Sequence, residues 1–120
     1  MSSPLHVTQR FAAGIAILEL HGRLVFEDGD ESLRDAADAL IQAGRLAVLI
    51  DLHDVSYMDS AGIGAIIEVY LRLTRRGGQC KLLRPSHVVK RVLDITRLST
   101  VIETFDDEAA ALRTYDHAHV

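Results

Sequence analysis

An aspartate and a serine stand together where an apolar segment meets a helix-like pattern that contains two glycines. The segment is YMDSAGIGAII, residues 57–67, with Asp59 and Ser60 directly before Gly62 and Gly64. Glycine costs about 1 kcal/mol relative to alanine in a helix interior. Either the packing of this helix leaves no room for side chains at these two positions, or a partner approaches the helix backbone closely.

Two common chemical motifs do not fit these residues. A dinucleotide-binding G-x-G-x-x-G would need a third glycine where Ile67 stands, and no lysine completes a P-loop. The nucleophile elbow of serine hydrolases needs a glycine at Met58, two residues before the serine. No base is identified that would activate Ser60. We therefore expect neither dinucleotide binding nor serine hydrolysis, and no enzymatic activity.

Two roles remain open for Ser60. It could accept a phosphoryl group, because a helix N-terminus tolerates a charge of about −1.5 to −2. The same charge would disturb a partner bound to this helix, and a penalty of about 3 kcal/mol would weaken binding more than a hundredfold. Alternatively, Asp59 and Ser60 only cap the helix, as these residue types commonly do.

The surrounding elements are predicted from hydrophobic periodicity and from turn residues. The predicted strands cover residues 5–10, 15–20, 45–52, 79–84 and 101–105, and the predicted helices cover 31–44, 60–76, 87–98 and a final segment from Asp106 or Asp107 through Tyr115. The polar segment 21–30 is predicted to be a loop. The order ββαβαβαβα indicates one α/β domain over residues 1–120, with helices packed on a mixed, mostly parallel β-sheet whose first strand is antiparallel.

The spacing of apolar residues also predicts which helix faces pack on the sheet. The predicted packing positions are Ile63, Ile66, Ile67, Tyr70 and Leu73 in the second helix, and Val88, Val92 and Ile95 in the third. In this arrangement Asp59 and Ser60 fall at the carboxyl edge of the sheet. Open α/β folds bind ligands and partners at that edge.

The composition restricts the class of protein. The 120 residues are 48% hydrophobic and 25% charged, which is typical of one globular domain. The net charge of −4 and the lack of an arginine-rich run argue against nucleic acid and anionic membranes as partners. The single cysteine, Cys80, is expected in a buried strand and fits a reducing compartment. No segment has the character of a signal peptide or a membrane helix, so a soluble cytoplasmic protein is expected.

Residues 47–107 resemble the STAS domain of bacterial anti-sigma factor antagonists. The resemblance depends on the D-S-A-G-I-G pattern after an apolar strand, on the glycine pair that precedes QCKLL, and on residues 92–112. It extends over nearly the whole chain. It implies a STAS-like fold with the strand and helix order given above.

The resemblance also implies a function. Members of this family bind an anti-sigma factor that is itself a serine kinase, and they are released on phosphorylation. A metal-dependent serine phosphatase then resets them. Carried over to this chain, the phosphorylation site is Ser60, and the partner-binding residues are Asp59, Ala61, Gly62, Ile63 and Gly64. No metal site and no cofactor are expected.

The chain departs from the family pattern at the end of the second strand. Family members often carry an acidic residue directly after a G-x-L triplet, whereas here Val25 and Phe26 follow Leu24. The contribution of this position to partner binding is therefore open. Phe26 is expected in the core, with an exposed apolar contact as the alternative.

Two other assignments stay open for a STAS domain. One is an accessory subunit bound permanently to the ATPase of an ABC-type lipid transporter, with Ser60 only as a cap. The other is a stressosome-type scaffold protein, although such proteins usually carry an additional sensory domain. His117 and His119 have the spacing of a metal-binding pair, but a solvated chain end is the expected interpretation.

Overall fold

The computed structural model describes residues 5–115, in which five strands form one sheet with the order β1-β2-β3-β4-β5. The elements are β1 (Leu5–Ala12), β2 (Ile15–Leu24), α1 (Gly29–Gln42), β3 (Ala47–Met58), α2 (Ser60–Arg75), β4 (Gln79–Leu83), α3 (His87–Ile95), a 3-10 turn (Leu98–Thr100), β5 (Thr104–Phe105) and α4 (Glu108–Arg113). β1 pairs antiparallel with β2, and the other strands are parallel. The predicted order and mixed sheet are confirmed. His117 and His119 lie outside the described residues.

A two-residue turn joins β1 and β2. Ala13 and Gly14 both have positive φ, 54° and 79°, as a type I′ hairpin turn requires. The sheet also extends further than predicted, because β2 continues to Leu24 and β3 to Met58. The prediction of a loop at 21–24 is wrong because these residues pair with the end of β3. Periodicity alone missed them, since the apolar run stops before the strand does.

Alternate side chains of the central strands divide the core in two. Leu18 and Ile50 belong to the larger cluster, which also holds the buried side chains of α1, α2 and α3. Ile17 and Leu49 point the other way, into a smaller cluster with Tyr115 at the end of α4. The sheet is therefore covered by three helices on one face and by α4 on part of the other.

The helix α2 has the predicted bounds within one residue, and its packed face is shifted slightly. Its fully buried residues are Gly62, Ala65, Ile66, Val69 and Leu73. Ile63, Ile67 and Tyr70, which were predicted to pack, are half-buried against the same core. One flank of the predicted apolar face therefore lies at the surface.

The predicted packed face of α3 is wrong at two of its three positions. Val88 is 42% and Ile95 is 77% exposed, whereas Val92 is half-buried against the core. The fully buried residues of the helix are Val89 and Leu93. The helix carries two apolar stripes, and periodicity does not distinguish them. The start of α3 is attached to β3 by the cap residue Ser86, whose hydroxyl donates to the Val55 carbonyl at 2.7 Å.

Only two residues of the last predicted strand, 101–105, lie in the sheet. Val101 is exposed and directly follows a 3-10 turn at Leu98–Thr100. Only Thr104–Phe105 pair with β4. Thr104 lies opposite Leu82, and β4 ends one residue later at Leu83. Asp107, rather than Asp106, caps α4 by accepting the Ala110 N–H at 2.8 Å.

Candidate functional site

The junction between β3 and α2 separates the tasks of Asp59 and Ser60. Asp59 is extended and forms the N-cap, because its Oδ1 accepts the Gly62 N–H at 3.0 Å. Ser60 is the first residue of α2 and its side chain is exposed. Within the described residues the Ser60 hydroxyl has no hydrogen-bond partner. The helix is therefore capped without Ser60, which leaves this hydroxyl free for chemistry.

The second oxygen of Asp59 connects the helix to the loop between β2 and α1. Oδ2 accepts the Phe26 N–H at 3.2 Å, and the Asp59 N–H donates to the Leu24 carbonyl at 3.3 Å. Burial of the carboxylate favours its neutral form, but the backbone N–H groups of Gly62 and Phe26 outweigh burial and hold the pKa of Asp59 below its ordinary value. A charged Asp59 thus joins three segments of the chain.

The two glycines of α2 serve different purposes. A Cβ on Gly62 would lie 2.3 Å from the Leu24 carbonyl oxygen and 2.9 Å from Met58 Cγ, so packing inside this chain excludes any side chain there. A Cβ on Gly64 would meet no atom within 4 Å, and the residue is exposed. Internal packing explains Gly62 but does not explain Gly64.

The loop between β2 and α1 is tightly closed and presents an aromatic side chain. The Val25 carbonyl accepts the N–H groups of Gly29 at 2.9 Å and Asp30 at 3.0 Å. Glu27 has a φ of 69°, which non-glycine residues seldom adopt. Phe26 is 63% exposed, so the alternative of an exposed apolar contact is the one found.

The predicted site residues share one end of α2 but differ in accessibility. Ser60 and Gly64 are exposed, Asp59, Ala61 and Ile63 are half-buried, and Gly62 is buried. Tyr57, which sequence reasoning did not single out, is 52% exposed near the end of β3. The only signal for it was its position two residues before Asp59.

Other chemistry finds little support in residues 5–115. No group of three or more His, Cys, Asp or Glu side chains in this range could hold a metal ion. Cys80 is buried as predicted, and burial raises the pKa of its thiol to about 12. None of the helices in this range is long and apolar enough to span a bilayer.

The sheet order and the exposed serine at the start of α2 define an α/β domain with a candidate modification or binding site at the carboxyl edge. The chain belongs to the STAS domain family, whose sequence model matches residues 6–111. The predicted family is thereby confirmed.

Relatives of known name and structure resemble most of the chain. The anti-sigma F factor antagonist of Paenibacillus polymyxa is 28% identical over 109 residues, which cover 90% of this chain and 92% of that protein. An anti-sigma factor antagonist from Mycobacterium paratuberculosis has a TM-score of 0.83 at 16% identity, covering 96% of this chain and 97% of its own. The Bacillus cell fate determinant SpoIIAA in its phosphorylated form has a TM-score of 0.69 at 22% identity, covering 90% and 98%. At these identities the two structures show the shared fold.

Proposed function

We propose that this protein is an anti-sigma factor antagonist switched by phosphorylation of Ser60. Unphosphorylated, it binds an anti-sigma factor that has serine kinase activity and so releases a sigma factor for transcription. Phosphorylation of Ser60 ends this binding, and a metal-dependent serine phosphatase restores it. The protein acts in the cytoplasm as a regulator and has no catalytic activity of its own.

The observation that carries this proposal is the division of tasks between Asp59 and Ser60. A serine that capped α2 would need its hydroxyl for the helix, and phosphorylation would disrupt the fold. Here Asp59 is the cap, and Ser60 is exposed with its hydroxyl unused inside the described residues. Added charge at this position is tolerated by the helix N-terminus and is felt mainly by a bound partner.

Two further observations support the same function. Gly64 lies exposed one turn from Ser60, where no packing inside the chain requires a glycine, so a partner can approach the backbone there. The relative from Paenibacillus polymyxa is named for antagonism of an anti-sigma factor, and SpoIIAA has a phosphorylated form. A fold of this kind therefore accommodates a phosphoryl group.

The decisive experiment compares Ser60 variants in binding to the anti-sigma factor kinases of the same organism. We expect Ser60→Ala to bind its kinase in the presence of ATP and to remain bound. Ser60→Asp is expected to bind at least about a hundredfold more weakly, because its charge meets the partner at a desolvated interface. Titration calorimetry measures both affinities.

Ser56→Ala is the matched control for this experiment. Ser56 is also an exposed serine near the end of β3, but its hydroxyl donates to the Gly22 carbonyl at 3.2 Å. This variant should be phosphorylated and released like the wild type. Equal binding by Ser60→Ala and Ser60→Asp would contradict the switch and favour a permanently bound subunit.

A further inference from the structure

We infer that Phe26 and Tyr57 are the aromatic anchors through which this domain docks its kinase partner, with Asp59 as the residue that positions Phe26. This inference rests on the proposed function and names the contact residues of the same site. Both aromatic side chains lie outside the predicted partner-binding residues 59–64.

The two aromatic side chains lie at the same junction as Ser60. Phe26 follows the end of β2 and Tyr57 stands at the end of β3, where Leu24 pairs with Met58. The Phe26 N–H lies 3.2 Å from the Asp59 carboxylate, next to Ser60 in the chain. At 63% and 52% exposure, both rings contribute little to the core of this chain. Exposed apolar side chains beside a functional group are typical of interaction sites, and tyrosine is enriched at binding hot spots.

Phe26 is held on a rigid support. Its own N–H is bound by Asp59, and the preceding carbonyl, that of Val25, accepts two N–H groups from the start of α1. The turn can close this tightly because residue 29 is a glycine. A Cβ on Gly29 would lie 2.4 Å from the Arg23 carbonyl oxygen. A side chain presented from such a backbone loses little further conformational freedom on binding, which favours affinity.

The charges around Phe26 indicate the chemistry of the partner. Glu27, Asp28 and Glu31 are exposed, and no ion pair within residues 5–115 neutralises them. Arg23 is also exposed and is the strand partner of Tyr57, and the three carboxylates outnumber this one cation. A complementary surface therefore combines an apolar pocket with a basic rim. A second copy of this chain would bring the same carboxylates against this loop, and like charges at an interface are unfavourable. The charges thus favour the kinase over self-association.

The test uses the full chain and the purified anti-sigma factor kinases of its own organism, each titrated first with the wild type. With the kinase that binds, Phe26→Ala and Tyr57→Ala should each weaken the affinity at least about tenfold, as removal of an aromatic anchor does. In the phosphorylation reaction they should raise the KM for this protein with little change in kcat, because Ser60 itself is intact.

Phe11→Ala is the matched control. Phe11 is 47% exposed and pairs with Ala16 near the start of β2, at the opposite edge of the sheet. This variant should bind within about twofold of the wild type, and thermal unfolding should show that all three variants are folded. Replacing Glu27 and Asp28 by Gln and Asn should lower the association rate and its dependence on salt.

The possible outcomes separate the inference from the proposed function. If binding depends on Ser60 but Phe26→Ala and Tyr57→Ala behave like Phe11→Ala, the inference is wrong and the function stands. If no kinase binds the wild type, both are wrong. If the wild type is dimeric in solution and Phe26→Ala makes it monomeric, the surface binds a second copy and the inference is overturned.

Discussion

The two oxygens of the Asp59 carboxylate perform different tasks. Oδ1 caps α2 through the Gly62 N–H, and Oδ2 holds the Phe26 N–H of a loop that lies 33 residues earlier in the chain. One side chain thus connects the candidate modification site to the loop that presents Phe26. Within the described residues the Ser60 hydroxyl makes no hydrogen bond, as the proposed phosphorylation requires.

Asp59→Asn separates the two tasks. Its single carbonyl oxygen can still accept the Gly62 N–H, but its amide nitrogen cannot accept the Phe26 N–H. We expect the free energy of unfolding to fall by about 1 kcal/mol, and we expect hydrogen exchange at the Phe26 amide to become faster. Urea unfolding and exchange mass spectrometry measure the two effects.

Asp59→Ala is the comparison variant, because it loses both hydrogen bonds and should be less stable than Asp59→Asn. The difference between wild type and Asp59→Asn should also depend on pH. The pKa of Asp59 is lowered in the folded state, so its stabilisation is complete above the ordinary carboxyl pKa and is lost as pH falls through the lowered value. An unchanged Phe26 exchange rate in Asp59→Asn would show that other contacts hold the loop.

The start of α2 combines a glycine that packing demands with one that packing does not. Gly62 allows the first turn to cross Leu24 at van der Waals distance, whereas Gly64 faces open space. A helix that tolerates Gly64 gives up stability that alanine would supply. The element is therefore suboptimal for folding at the position where a partner is proposed to approach.

The two alanine substitutions should shift stability in opposite directions. Gly62→Ala forces a Cβ against the Leu24 carbonyl and should lower the free energy of unfolding by about 1–3 kcal/mol. Gly64→Ala should raise it by about 0.5–1 kcal/mol, since alanine is the better helix former. Urea unfolding of both variants measures this.

The same Gly64→Ala variant also tests the partner surface. A more stable protein that binds the kinase more weakly would place the partner against the Gly64 backbone. Binding equal to the wild type would show that the partner leaves room for a methyl group there. Partner contact would then not explain why residue 64 is a glycine.

In the molecule as a whole, the two faces of the sheet are covered differently. The helices α1, α2 and α3 pack on one face, and α2 begins at Ser60, whereas α4 covers part of the other face. The end of α4 is secured by Tyr115, whose hydroxyl donates to the Val48 carbonyl at 2.6 Å. Lys81 lies under the same ring and donates to Thr114 Oγ1 at 2.8 Å.

Tyr115→Phe should therefore reduce stability without affecting partner binding. Burial raises the pKa of the Tyr115 hydroxyl, so it stays a donor across the usual pH range. Its removal should cost about 1 kcal/mol of unfolding free energy. The kinase affinity should stay at the wild-type value, because α4 lies on the other face. A loss of affinity larger than the loss of stability would show that the two faces are coupled.

Local sequence patterns were sufficient for most of the architecture. The order of strands and helices, the hairpin at Gly14, the buried Cys80 and the position of Asp59 and Ser60 between β3 and α2 all follow from periodicity and from turn or cap residues. These features depend on neighbours a few residues apart, and such interactions are visible in a single sequence.

Contacts between distant segments determined the rest, and no local pattern contains them. The packed face of α3 is the one that meets the core under α3, with Ser86 bound to Val55, and the need for Gly62 depends on Leu24. Phe26 is exposed in a loop whose backbone Asp59 binds from 33 residues further along the chain. In a short helix or loop, the spacing of apolar residues does not show which of them are buried and which are exposed. Only contacts between segments that are distant in the sequence select between these arrangements.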